Sequence, residues 1–208
     1  KAQVFVADYG DHYRTRLTHS IEVAQVSRAI ARTLRLNEDL AEALALAHDL
    51  GHTPFAHAGQ DTMDSLMREH GDHFEHNKQS RRIVELLEHR YPDFPGLNLT
   101  WETLWGMAKH ETPWETPLID GQPVRSLSLE GQVVNLGDEI AYTAHDIDDG
   151  LRAKLFTFDE LSKVPLIQEI HEILEVRLPH ARPTDDLYRY QLVRDVIDRL
   201  ATDIILDG

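Results

Sequence analysis

Residues 48–57 read HDLGHTPFAH, placing three histidines and an aspartate within ten positions. Imidazole nitrogens and carboxylate oxygens hold borderline divalent cations, so the stretch has the chemistry of part of a metal site. His48 and Asp49 stand side by side, and neighbours on a helix point about 100° apart. They can reach one ion only from a helix's last turn, beside Gly51. Two ligands do not close a site, so others must come from elsewhere. His19 qualifies because it lies four and seven residues before Val23 and Val26 and shares their inward face. Asp138 qualifies because Val133, Val134, Leu136, Ile140 and Ala141 flank it, and a buried carboxylate needs a partner such as a metal. Most of the 13 histidines must be solvated or bonded to backbone, and an HD dipeptide alone is weak. The combination of Arg16–His19, HDLGH and an acidic helix far downstream is stronger.

The elements that must position these residues read as helices. LTHSIEVAQVSRAIARTLRL puts Val23, Val26, Ile30 and Leu34 at helical spacing. NEDLAEALALAHDLG is a second helix, capped by Asn37, stopped at Gly51 and followed by Pro54. Further helices are predicted over DTMDSLMREHG, HNKQSRRIVELLEHRY, TWETLWGMAKHE and SLEGQVVNLGDEIAYTAHDIDDGL, then over FDELSKVPLIQEIHEILEVRL and TDDLYRYQLVRDVIDRLATDIIL. TPWETPLIDGQPVRS, with three prolines and a glycine, reads as a long irregular excursion. No run alternates convincingly as a strand, and the predicted class is an all-α bundle.

At 208 residues, 41% hydrophobic and 27% charged, the composition is that of a globular chain able to bury a core. The formal charge of −15 repels polyanions and argues against a strong nucleic-acid-binding surface. An anionic substrate would need local positive charge. Cysteine is absent, which excludes thiolate ligands and nucleophiles and fits a reducing, cytoplasmic setting. No apolar run approaches the ~18–20 residues of a membrane span. The chain opens KAQVF, which reads as a fragment or a processed product.

RLTH, HDLGHTPFAH, FEHNKQS and NLGDEIAYTAHDIDDGL, in that order, resemble the bacterial deoxynucleoside triphosphate triphosphohydrolases, the dGTPase-like branch of the HD metal-dependent phosphohydrolases. The similarity runs from about Gln3 to Leu151, with further likeness in YPDFPGLNLTWE and KHETP. It implies an HD-domain helical bundle with additional C-terminal helices: a core over 1–155 and an extension over 156–208 packed on it. It assigns one divalent ion, manganese, magnesium, iron, cobalt, nickel or zinc, to His19, His48, Asp49 and Asp138. Asp146, in the more conspicuous DIDDG, is passed over as a ligand. Tyr142 and Asp146 are instead implied to read the deoxyribose, Tyr142 excluding a 2′-hydroxyl and Asp146 accepting from the 3′-hydroxyl. His52, His57 and His76 would line the phosphate pocket with Arg16 and Lys109, and Gln3 is carried over as substrate-binding.

The resemblance implies water attack at the α-phosphorus and release of deoxynucleoside and triphosphate, with His57 as the acid and His76 beside it. One departure stands out: close relatives often carry a carboxylate where this chain has Gln60, which can only position water or a histidine. The expected partners are a deoxynucleoside triphosphate and further copies of the chain. Two alternatives remain: an HD phosphohydrolase acting on monophosphates, cyclic nucleotides or alarmones, and a catalytically weak dNTP sensor.

Overall fold

The computed structural model describes residues 15–109, 118–119, 121–123 and 126–207 and, apart from positions 56, 57, 109, 118, 119 and 122, their side chains. Helix α1 spans Arg16–Thr33. Thr15 caps it: its hydroxyl accepts the Thr18 N–H while the Thr18 hydroxyl accepts the Thr15 N–H. Its inward stripe is His19, Val23, Val26 and Ile30, widened by the small Ala24, Ser27 and Ala31. Helix α2, Glu38–Ala47, starts where the Asn37 carboxamide accepts from the Asp39 and Leu40 N–H groups, with Glu38 and Asp39 favourably placed in the first turn. Helix α6, Leu129–Arg152, is capped by Ser128. Val23, Ala31, Ala41, Leu44, Val134 and Ala141 join α1, α2 and α6 in one core cluster, to which Met107 of α5, Trp101–Lys109, also belongs.

Ser27 and Gly137 set how closely α1 approaches α6. A Cβ on Gly137 would lie 2.4 Å from Ser27 Oγ, so a larger residue there would force the Ser27 hydroxyl to turn away from this crossing beside Asp138. Helices α8, Pro165–Arg177, and α9, Asp186–Asp207, complete the bundle. Ile197, Leu200 and Ile204 of α9 pack on Val26, Ile30, Val133 and Ile140, so the C-terminal helix lies against the same two helices that carry His19 and Asp138. Buried Asp148 of α6 accepts from Arg189 Nε of α9 at 2.7 Å, an ion pair that fixes the docking.

Four details depart from the periodicity reading. Helix α3 spans Ala56–Arg68 and so begins five residues before DTMDSLMREHG; Phe55, at φ +66°, turns the chain into it. Helix α4, His76–Arg82, passes into a π-helical turn over Ile83–Leu87, and the chain leaves the helical path before Tyr91 because Leu97 N–H bonds the Val84 carbonyl at 2.7 Å. FDELSKVPLIQEIHEILEVRL is two helices, α7 over Phe158–Leu161 and α8, because Pro165 restricts Val164 and opens a new helix. Of the irregular excursion, Leu118–Ile119 and Gln122–Pro123 form a minimal antiparallel hairpin, β1 and β2, about Gly121 at φ +76°. The class remains all-α, as expected.

Candidate metal centre

Three buried side chains meet where α1, the end of α2 and α6 converge. One ligand atom each from His19, His48 and Asp138 lies within 4.8 Å of the others. His19 Nε2 stands 2.9 Å from Asp138 Oδ1, and His48 Nε2 is 3.7 Å from the same oxygen. Asp49 flanks this group, its Oδ1 3.5 Å from His48 Nε2. His48 is the residue on which α2 ends, so it and Asp49 lie in the turn rather than in mid-helix and can point the same way. His48 Nδ1–H donates to the Ala45 carbonyl at 2.6 Å, which leaves the Nε2 lone pair aimed at the cluster, the tautomer that ligation requires.

The electrostatics oppose burial with pairing. Burial alone would push the Asp138 carboxyl up, but His19 and His48 outweigh it and hold Asp138 well below the usual carboxylate range. Asp49 is likewise held far below that range, with His52 and His48 overcoming its burial. Burial works against a charge on His48, yet Asp138 and Asp49 raise its pKa overall. Two carboxylates kept ionised among imidazoles, all donors nitrogen or oxygen, fit a divalent cation of the borderline class.

The turn carrying His48 and Asp49 is held from two sides. Arg16 Nη2 donates to the Asp49 carbonyl at 2.6 Å and Nη1 to the His52 carbonyl at 2.9 Å, so its guanidinium caps this backbone. On the other side Gly51 N–H donates to Ser80 Oγ at 2.8 Å, and a Cβ at Gly51 would fall 2.1 Å from the His76 carbonyl. That contact brings α4 and His76 against the cluster. The His76 ring stacks on His52, centroids 4.0 Å apart, and His52 Nε2 lies 3.3 Å from Asp49 Oδ1. Gln60 of α3 does hold His76: its Oε1 accepts the Nδ1–H at 2.7 Å and the backbone N–H at 3.2 Å. Glu75 Oε1 stands 3.3 Å from the same Nδ1 while capping α4.

Tyr142 and Asp146 follow Asp138 by one and two turns along α6, half-buried and exposed respectively. Partial desolvation nudges the Asp146 carboxyl upward, against the pull of His145. An open cleft of about 240 Å³ lies beside the cluster, lined by Arg16, Ser20, Asp49 and the leucines 17, 46 and 50. Gln3 lies outside the described residues, as do the side chains of His57 and Lys109, whose backbones belong to α3 and α5. Two residues escaped the sequence reading. His145, fully buried on α6, packs edge-on against His19 with ring centroids 5.5 Å apart, and its Nε2 pairs with Glu22 of α1. Their signal was positional: His145 is seven residues beyond Asp138, and Glu22 three beyond His19.

The HD-domain family profile matches residues 16–143, more than half of the chain. The chain is 50% identical, over 99% of its length, to a deoxyguanosinetriphosphate triphosphohydrolase-like protein of Brucella canis, of which the match covers 55%. Proteins of the same name from a Bradyrhizobium species and from Rhodopseudomonas palustris are 53% and 51% identical over 96% of the chain, covering 53% and 54% of their own lengths. The chain therefore spans about half the length of these relatives.

Proposed function

Because the chain belongs to the HD-domain family, we propose that it carries the metal-dependent phosphohydrolase centre of a deoxynucleoside triphosphate triphosphohydrolase. The observation that carries this reading is the buried His19–His48–Asp138 group with Asp49 beside it, in a chain half identical to relatives of that name. A bound divalent ion would polarise the α-phosphate and lower the pKa of a water beside it. His19, His48, Asp49 and Asp138 hold that ion. The His52–His76 pair faces the phosphates as hydrogen-bonding imidazoles, in a protein whose net charge of −15 otherwise repels them. His57 protonates the 5′-oxygen as it leaves, and Gln60 keeps His76 in one orientation and one tautomer, with Nε2 turned away from the amide. Tyr142 and Asp146, spaced along α6 beyond Asp138, read the deoxyribose; Lys109 and Gln3 complete the phosphate and substrate contacts.

The test is incubation with each dNTP and manganese or magnesium, followed by chromatography of the products. Deoxynucleoside with inorganic triphosphate is the expected outcome. Diphosphate or orthophosphate release would move the chain to another HD phosphohydrolase chemistry, and binding without product would make it a sensor. Size measurement of the pure chain tests the expected homo-oligomer.

A further inference from the structure

His19 and His48 are held in different ways. The His48 ring is oriented by the hydrogen bond from Nδ1 to the Ala45 carbonyl, the arrangement usual for a ligating histidine. His19 Nδ1 meets no hydrogen-bond partner among the described residues. Besides the Nε2 contact with Asp138, its ring is placed by packing: His48 at 5.7 Å and His145 at 5.5 Å between centroids, both edge to face. His145 is in turn pinned by Glu22, which sits one turn beyond His19 on α1. Two imidazole–carboxylate contacts thus cross between the same two helices. In the first the imidazole comes from α1 and the carboxylate, Asp138, from α6; in the second α1 supplies the carboxylate, Glu22, and α6 the imidazole.

We propose that His145, anchored by Glu22, is a positioning residue that fixes the His19 ring so that Nε2 faces the ion. The proposal rests on the reading of this cluster as a divalent metal centre. Without the Glu22 contact the buried His145 ring loses the bond that sets its orientation, and with it the surface that sets the plane of His19. Hydrogen-bonded partners that orient a ligating histidine typically account for about 10–100-fold in metal affinity, and a partner acting by packing belongs at the low end of that range.

The experiment is a calorimetric titration of manganese into chelator-treated protein, with circular dichroism reporting the fold. Glu22→Ala is expected to weaken manganese binding by about tenfold or more, and Glu22→Gln, which keeps an acceptor oxygen, to restore most of it. His145→Leu fills the same buried volume and is expected to match Glu22→Ala, which covers the case in which the alanine variant does not fold. A residue that merely fills the core would lower the melting temperature and leave the affinity of the folded protein alone. Folded variants that bind within about threefold of the parent, or unfolding of both Glu22→Ala and His145→Leu, overturn the proposal. Failure of the parent chain itself to bind manganese or any other divalent ion sinks the metal reading as well, so the two failures are distinguishable.

Discussion

Arg16 offers the sharpest test, because two roles for it predict different measurements. Its guanidinium bonds the Asp49 and His52 carbonyls at 2.6 and 2.9 Å, tying the first turn of α1 to the turn that carries His48 and Asp49. Hydrogen bonds from a charged donor contribute about 1.5–3 kcal/mol each when well buried. Arg16 is only partly buried, so about 1 kcal/mol each is the fitting figure, and about 2 kcal/mol for the pair. In a chain of this length 1 kcal/mol shifts the melting temperature by about 2–4 °C. Arg16→Ala should then melt about 4–8 °C below the parent. Arg16→Lys should lose roughly half of that, since one ammonium cannot span two carbonyls as a planar fork does. Both variants should also bind manganese more weakly, because the turn presenting His48 and Asp49 is less firmly held. If the guanidinium served only to grip a phosphate, substitution would raise KM for nucleotide and leave both stability and metal affinity unchanged. Thermal melts and a manganese titration, neither requiring substrate, decide it. An Arg16→Ala protein melting within about 1 °C of the parent and binding manganese equally well would refute the clamp.

Asp138→Asn should abolish manganese binding in calorimetry, since the amide keeps the shape but removes the charge that balances the ion. Gln60→Ala should lower turnover by about tenfold through loss of the His76 orientation, whereas Gln60→Glu, which keeps the acceptor and adds charge, should raise turnover and move the pH–rate midpoint upward; a glutamate variant no faster than the parent would show that orientation alone is what position 60 supplies. Manganese at about a hundredfold over its Kd should add about 2.7 kcal/mol of stability, worth about 5–11 °C in a thermal melt. That gain should grow with pH. The raised pKa of His48 means that proton-linked stability of the metal-free chain is fully present below about 6.5 and lost as pH rises through the folded value. The depressed Asp49 and Asp138 groups contribute stability above about 4 that is lost only in stronger acid, so they do not blur this window. Equal manganese shifts at pH 6 and pH 8 would contradict the assignment of His48. Phe55→Asn should raise the melting temperature by a few degrees, because Phe55 is 82% exposed at φ +66° and asparagine tolerates the left-handed region at lower cost.

Helical periodicity made most of the bundle legible, because amphipathic stripes such as Val23–Val26–Ile30 report burial directly. It was blind where tertiary contacts override the local signal. The early end of α4 depends on Leu97 returning to the Val84 carbonyl, and α3 begins at Ala56 because Phe55 accepts a left-handed conformation that no local rule favours. Inward faces and a helix end made His19, His48 and Asp138 candidates, but it was the family resemblance that joined them around one ion; the structure brings these three together. Arg16 was not readable in the same way. A cation one turn before a ligand looks like a phosphate contact, and only coordinates reveal carbonyls 33 and 36 residues away. His145 stands beside the acid-rich DIDDG, whose charges mask the burial that its place seven residues beyond Asp138 implies.

Charge balance explains why such a cluster can be buried at all. His19, His48, Asp49 and Asp138 together carry two negative charges when the imidazoles are neutral, which a divalent ion cancels without help from solvent. With no ion bound, the same four groups must neutralise one another, and protons on the imidazoles supply positive charge inside the cluster. The upward shift at His48 and the depressed Asp49 and Asp138 are both faces of that requirement. Protons and metal therefore compete for the same lone pairs, and each stabilises the fold in the other's absence. A hydrophobic substitution of all four groups would remove both dependences at once. The resulting chain should fold with a melting temperature insensitive to manganese and less dependent on pH between 6 and 8 than the parent's, and a persistent manganese response in that chain would place the ion elsewhere.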